Sequence, residues 1–83
     1  MATTTLKRPE RQYQCAALML TVFEANPGVV MTRREIEALV NVSEFSESTR
    51  YRSLFVLMNT GHDIRMDSGE WEGRPSTYWM PST

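Results

Sequence analysis

The chain has 83 residues, 41% hydrophobic and 23% charged, with 4 Gly and 4 Pro, a balance that fits one small folded domain and excludes a disordered or collagen-like chain. A single cysteine, Cys15, and a single histidine, His62, exclude an internal disulfide and the four-ligand structural zinc sites. The formal charge of −1 excludes a uniformly basic protein. It is spread as +1 over residues 1–26, 0 over 27–61 and −2 over 62–83, with no basic run.

The longest apolar stretch, Cys15 to Leu20, falls far short of the ~20 residues of a membrane span, and no basic start with a cleavable apolar stretch opens the sequence. A cytoplasmic protein is expected. Residues 1–8 read as a tail, because three consecutive threonines and no apolar periodicity precede Pro9. The first helix is expected from Pro9, whose fixed φ suits an opening turn, with Glu10 complementing the helix dipole. Tyr13, Ala16, Ala17, Leu20 and Phe23 recur at helical spacing and predict its apolar stripe. The helix should end near Asn26, because Pro27 disfavours helical geometry in the residue before it and Gly28 supplies a turn.

Val29, Val30 and Met31 predict one small strand or a packed linker. Thr32 and Glu35 form a capping box that opens a second helix, with Ile36, Leu39 and Val40 inward and Asn41 as its left-handed stop. Val42 should fill the space under the turn. Ser46, rather than Ser43, is the expected N-cap of a third helix. This helix should carry Tyr51, Leu54, Phe55, Leu57 and Met58 at or near the core and close at Gly61. Its opposite face would present Ser46, Thr49 and Ser53, flanked by Arg50 and Arg52. Beyond Gly61 the period changes to two. Ile64 and Met66, then Tyr78 and Met80, predict a two-stranded hairpin whose long tip, Ser68 to Pro75, holds Gly69, Gly73 and Pro75.

This order of elements, from Pro9 to Met80, resembles a winged helix-turn-helix domain: an α+β fold of three helices with a small antiparallel β-hairpin wing. Thr49, Leu54, Leu57 and Gly61 followed by Ile64 resemble the recognition helix and its exit in the antibiotic-resistance and arsenic-responsive repressors. Gly73, Arg74 and Pro75 ahead of Thr77 and Tyr78 look like the return strand of the wing. The resemblance implies a domain over residues 9–80, with 81–83 as a tail. It also implies a third helix that enters the DNA major groove and a wing that reaches phosphates or the minor groove. Two features depart from it: the connection from Val42 to Ser46 is longer than the usual turn, and Asp67, Glu70 and Glu72 make the wing tip acidic.

The candidate DNA-binding residues are Arg33, Arg34, Ser46, Ser48, Thr49, Arg50, Arg52, Ser53 and Arg74. A guanidinium can bond bidentately to guanine O6 and N7, and hydroxyls can bond to base edges or phosphates. The plainer alternative is a solvated face on which Glu47 pairs with Arg50 or Arg52. Arg33 and Arg34 stand at a helix start, unfavourable for cations unless a phosphate is near; solubility is the alternative there. Arg74 either reaches the duplex or neutralises Glu70 or Glu72. Val56, Trp71 and Trp79 are expected to point outward and mark a second candidate surface, for a dimer or a protein partner; burial by the first helix and the hairpin is the alternative. His62 beside Asp63 has no nucleophile, second carboxylate or metal cluster with it, and no glycine-rich phosphate loop exists, so neither enzyme activity nor a cofactor is expected.

The leading expectation is therefore a small transcription regulator, of phage or mobile-element type, that binds double-stranded DNA as a dimer or with a partner. The rival is a winged-helix module that binds and inhibits another protein. Both hinge on whether folding gathers Arg33, Arg34, Arg50, Arg52 and Arg74 on one face or disperses them among carboxylates.

Overall fold

The computed structural model describes residues 8–69 and 72–82. The chain folds as α1 (Arg8–Ala25), β1 (Met31–Thr32), α2 (Arg33–Leu39), α3 (Glu47–Asn59), β2 (Arg65–Asp67) and β3 (Thr77–Trp79). This is an α+β arrangement of three helices and one antiparallel sheet of order β1-β3-β2. Most of the expected tail, residues 1–7, lies outside the described residues, as do Glu70, Trp71 and Thr83. No described helix is long and apolar enough to cross a membrane.

The expected local signals govern the helix ends. Thr32 Oγ1 accepts from the Glu35 amide at 3.2 Å, and Glu35 Oε1 accepts from the Thr32 amide at 2.8 Å, so two backbone donors at the start of α2 are satisfied. Ser46 caps α3 by accepting from the Thr49 amide at 3.2 Å. Gly61 takes a φ of +84° just past α3, a conformation that costs glycine little. Asn41 is not the left-handed stop expected of it. α2 ends at Val40 in extended geometry, and the Asn41 side chain accepts instead from the Ser43 amide and hydroxyl.

The sheet has one strand more than the expected hairpin. Met31 and Thr32 pair with Tyr78 and Thr77, so the segment after Gly28 contributes an edge strand beside β3, and Val29 and Val30 remain exposed. On the other side Arg65, Met66 and Asp67 pair with Trp79, Tyr78 and Thr77. At the hairpin tip the Gly69 carbonyl accepts from the amides of Glu72 and Arg74. A Cβ on Gly69 would lie 2.6 Å from that of Arg74, so the close approach requires glycine. The C-terminal segment is tied down as well: the Gly28 amide donates to the Met80 carbonyl, and Pro81 is partly buried.

The core is built from Cys15, Ala16, Met19, Val22 and Phe23 of α1, Ile36 of α2, and Leu54 and Leu57 of α3. Met31, Ile64 and Tyr78 from the sheet region and Val42 and Phe45 from the α2–α3 connection complete it. Each large side chain fully buried here stabilises the fold by roughly 1.5–3 kcal/mol. The inward face of α1 is turned by roughly a quarter of the circumference from the expected stripe, at ~100° per residue. Tyr13 and Ala17 face solvent, and Cys15, Met19 and Val22 take the interior. Residues 15–20 are all apolar, so periodicity alone leaves that rotation undetermined. Phe45, unmarked by any periodicity, is buried with the Arg11 guanidinium 4.8 Å from its ring centroid.

α3 is turned by a similar amount. Tyr51, expected near the core, is 48% exposed, and Ser53, expected outward, is fully buried. Ser53 Oγ lies 2.6 Å from the Thr49 carbonyl and 3.2 Å from the Gln12 carbonyl of α1. A small side chain at this contact lets α1 and α3 pack closely. Leu39 is also corrected: expected inward on α2, it is 62% exposed, because this short helix meets the core chiefly through Ile36.

Candidate functional site

The rotation of α3 decides which of its side chains are presented. Ser48, Tyr51, Arg52 and Asn59 are exposed and Phe55 is partly so; at helical spacing they form one outer stripe. Tyr51 and Phe55 meet edge to face, with ring centroids 4.9 Å apart and planes at 78°. Arg52 lies among Gln12, Ser46, Ser48 and Thr49 on one side of the stripe and among Gln12, Tyr13, Phe55 and Val56 on the other. It makes no hydrogen bond or ion pair among the described residues.

The hairpin flanks the opposite edge of the stripe. Tyr51, Phe55, Met66, Ser68, Arg74, Pro75 and Ser76 line a groove of about 420 Å³. Tyr51, Pro75 and Ser76 also border a second hollow, shared with Thr32, Arg33 and Arg34. The first turn of α2, the outer stripe of α3 and the return limb of the hairpin therefore form one continuous face with Tyr51 near its middle.

The arginines divide into two groups. Arg33 donates to Glu37 at 2.7 Å and to Glu47 at 2.9 Å, and Arg50 donates to Glu37 at 2.9 Å. Burial alone would lower the pKa of Arg33, but the hydrogen bond it donates to Glu47 and the charge of Glu37 outweigh it and hold the guanidinium more firmly protonated than usual. Arg74 donates to Glu72 at 2.9 Å. Arg34 and Arg52 have no carboxylate partner among the described residues. The folded chain thus does not gather the five arginines into one free positive surface. Arg33 and Arg34 border one hollow beside Tyr51 and Arg74 another, and Arg50 turns to Glu37. Arg33, Arg50 and Arg74 are paired with carboxylates, and Arg52, unpaired among the described residues, stands at the edge of the α3 stripe.

Several expected site residues are corrected. Ser53 faces α1 and is inaccessible to any ligand. Arg50 turns toward α2, because its position on the rotated helix lies beside Leu54 and Leu57; it is committed to Glu37 rather than to the outer face. The alternative pairing of Glu47 with Arg50 or Arg52 is not the one formed, since Glu47 bonds Arg33. Ser46 and Thr49 are engaged with each other at the start of α3, their hydroxyls 2.9 Å apart, and Ser46 also meets the Ser48 hydroxyl at 3.2 Å. Val56 is partly buried against the core edge rather than fully outward. Trp79 is partly buried opposite Arg65; Trp71 lies outside the described residues. Tyr51 and Phe55, assigned to the core by period, are the site residues that sequence reasoning missed. Their only signal was that residues 54–58 are apolar nearly all round, so one flank had to remain uncovered.

Among the described residues no group of three or more His, Cys, Asp or Glu side chains is arranged to hold a metal ion. No family model, curated protein or solved structure matches the chain.

Proposed function

We propose that this chain is a winged-helix domain that binds double-stranded DNA, presenting the outer stripe of α3 to the major groove and the β2–β3 hairpin to the flanking backbone, as a small transcription regulator. The observation that carries this reading is the uncovered stripe Ser48, Tyr51, Arg52, Phe55 and Asn59, with an unpaired guanidinium at one edge and Arg34 and Arg74 on neighbouring elements. At 13 residues α3 is about 20 Å long, and a helix fits the ~12 Å width of the major groove. Arg52 supplies the bidentate donor, Ser48 and Asn59 supply shorter polar groups, and Tyr51 offers an apolar face for a thymine methyl.

Few free cations imply a weak monomer complex. Binding depends on the phosphate contacts made, so a second copy or a partner protein is needed for useful affinity. The test is retention on duplex DNA through a salt series, for the wild type and for Arg52→Ala. The expected result is salt-sensitive retention of the wild type and a loss of ~1–3 kcal/mol in the variant if Arg52 reads a guanine. No retention of the wild type at low salt overturns the reading.

A protein partner is the second reading, favoured by the groove between α3 and the hairpin. Its Tyr51, Phe55 and Met66 walls are of the kind that anchors protein interfaces, and the exposed carboxylates of Asp67 and Glu72 nearby would repel a phosphate backbone. Absence of DNA retention together with tight capture of one defined protein, lost in Tyr51→Ala, establishes this reading in place of the first.

A further inference from the structure

We propose that Arg33, Arg34 and Arg50 form a phosphate-binding subsite at the corner between α2 and α3, and that the Glu47 carboxylate occupies the place of a phosphate oxygen there and is displaced by the ligand. The choice of a nucleic-acid phosphate as the natural occupant rests on the DNA-binding reading; the subsite itself is argued from the side chains.

Arg33, Arg34, Glu37, Glu47 and Arg50 line a single pocket of about 210 Å³. A water molecule takes roughly 30 Å³ of liquid volume, so the pocket has room for a phosphate group. Three guanidinium groups face two carboxylates, leaving the corner one positive charge in excess.

The two carboxylates differ in kind. Glu37 is only 14% exposed and spends one oxygen on Arg33 and the other on Arg50, so it ties α2 to α3. Glu47 is 71% exposed and makes one bond, to the second terminal nitrogen of Arg33. An exposed pair of this sort is screened by solvent and immobilises two long side chains, so it exchanges readily. The arginines also have capacity to spare. Arg34 carries its charge in the first turn of α2 with no acceptor among the described residues, an electrostatically unfavourable position. Arg50 retains a buried Nε–H without an acceptor. A phosphate offers several charged oxygens and engages planar guanidinium groups two at a time. Glu47, with its one bond to Arg33, does not.

The test follows the guanidinium resonances of Arg33 and Arg34 in the full chain while inorganic phosphate is added at constant ionic strength, for the wild type, Glu47→Gln and Arg34→Ala. The expected result is a saturable shift in the wild type and tightening by roughly fivefold in Glu47→Gln, the factor produced by removing one unit charge a few ångströms away in a high dielectric. Weakening is expected in Arg34→Ala, whose exposed, unpaired side chain can be removed without disturbing the fold. In parallel, Glu47→Gln should steepen the salt dependence of duplex retention by about one phosphate contact. No saturable shift in the wild type or Glu47→Gln, or identical behaviour of the two, overturns the subsite. If duplex retention still depends on Arg52 in that case, the DNA-binding reading stands without it. If the phosphate shifts appear as expected but no duplex is retained, the DNA-binding reading falls, and the subsite stands as one for a different phosphorylated molecule.

Discussion

Arg50 of α3 and Glu37 of α2 meet at 2.9 Å, a contact that turns the guanidinium away from the outer surface of α3 and joins the two helices side chain to side chain. Glu37 also holds Arg33, so one largely buried carboxylate compensates two partly buried cations. Removing a single partner from such an arrangement leaves uncompensated charge in a low-dielectric setting.

Glu37→Gln is therefore expected to destabilise the fold by ~2 kcal/mol, a figure reduced for the partial solvent access of both arginines. In a domain of this size that lowers Tm by roughly 8–16 °C. Thermal melts of both proteins decide the matter; a variant within about 0.5 kcal/mol of the wild type would show that the contact contributes nothing to stability.

Ser53 separates packing from recognition. Its hydroxyl is buried between α3 and the Gln12 carbonyl of α1, so Ser53→Ala should cost only ~1 kcal/mol. Ser53→Leu should cost ~1–3 kcal/mol by forcing the helices apart. Neither should alter DNA retention per folded molecule, which is measured at a temperature where denaturant titration shows each variant folded. Selective loss of retention in folded Ser53→Ala would restore this residue to the interface.

Thr32 carries the start of α2. Thr32→Ala removes the acceptor of the Glu35 amide and should cost ~1 kcal/mol, with Thr32→Ser recovering most of it. Hydrogen exchange at the Glu35 amide provides the local readout. Equal protection in the wild type and the alanine variant would mean that the cap is dispensable.

Alkaline pH should destabilise this domain. Burial raises the pKa of the Cys15 thiol above its ordinary 9.0 and that of the Tyr78 phenol above 10.0. With folded values above unfolded ones, both contribute stability that is complete below the unfolded pKa and lost as pH rises through the folded pKa. Urea midpoints should therefore be insensitive to these groups near neutrality and fall above pH 9.0, less steeply in Cys15→Ala. A slope unchanged by that substitution would remove the thiol as a cause.

Much of this architecture is legible along the chain because its signals are local. The Thr32 and Glu35 capping box, the Ser46 cap, the left-handed Gly61 and the change from helical to alternating period after it each depend on residues within a few positions. The missed features involve distant partners. Phe45 lies in a connection with no period, yet it joins the core beneath Arg11. The segment from Val29 to Met31 left a small strand and a packed linker both open, and Met31 and Thr32 form the strand because β3, more than forty residues later, offers hydrogen-bonding groups to pair with.

The sequence by itself determined that there are three helices and a hairpin, in that order, and roughly where each begins, since caps, turns and periodicity act over one or two turns of chain. Only the tertiary structure decided which way α1 and α3 face, because both carry apolar residues over more of their circumference than one neighbour can cover. Close packing at Ser53 and Cys15 selected the rotation. That choice placed Arg50 against Glu37, Tyr51 and Arg52 in solvent, and Arg33 between two carboxylates. A count of arginines cannot foresee this outcome, because the charge available to a ligand depends on which acids folding brings within 3 Å of each.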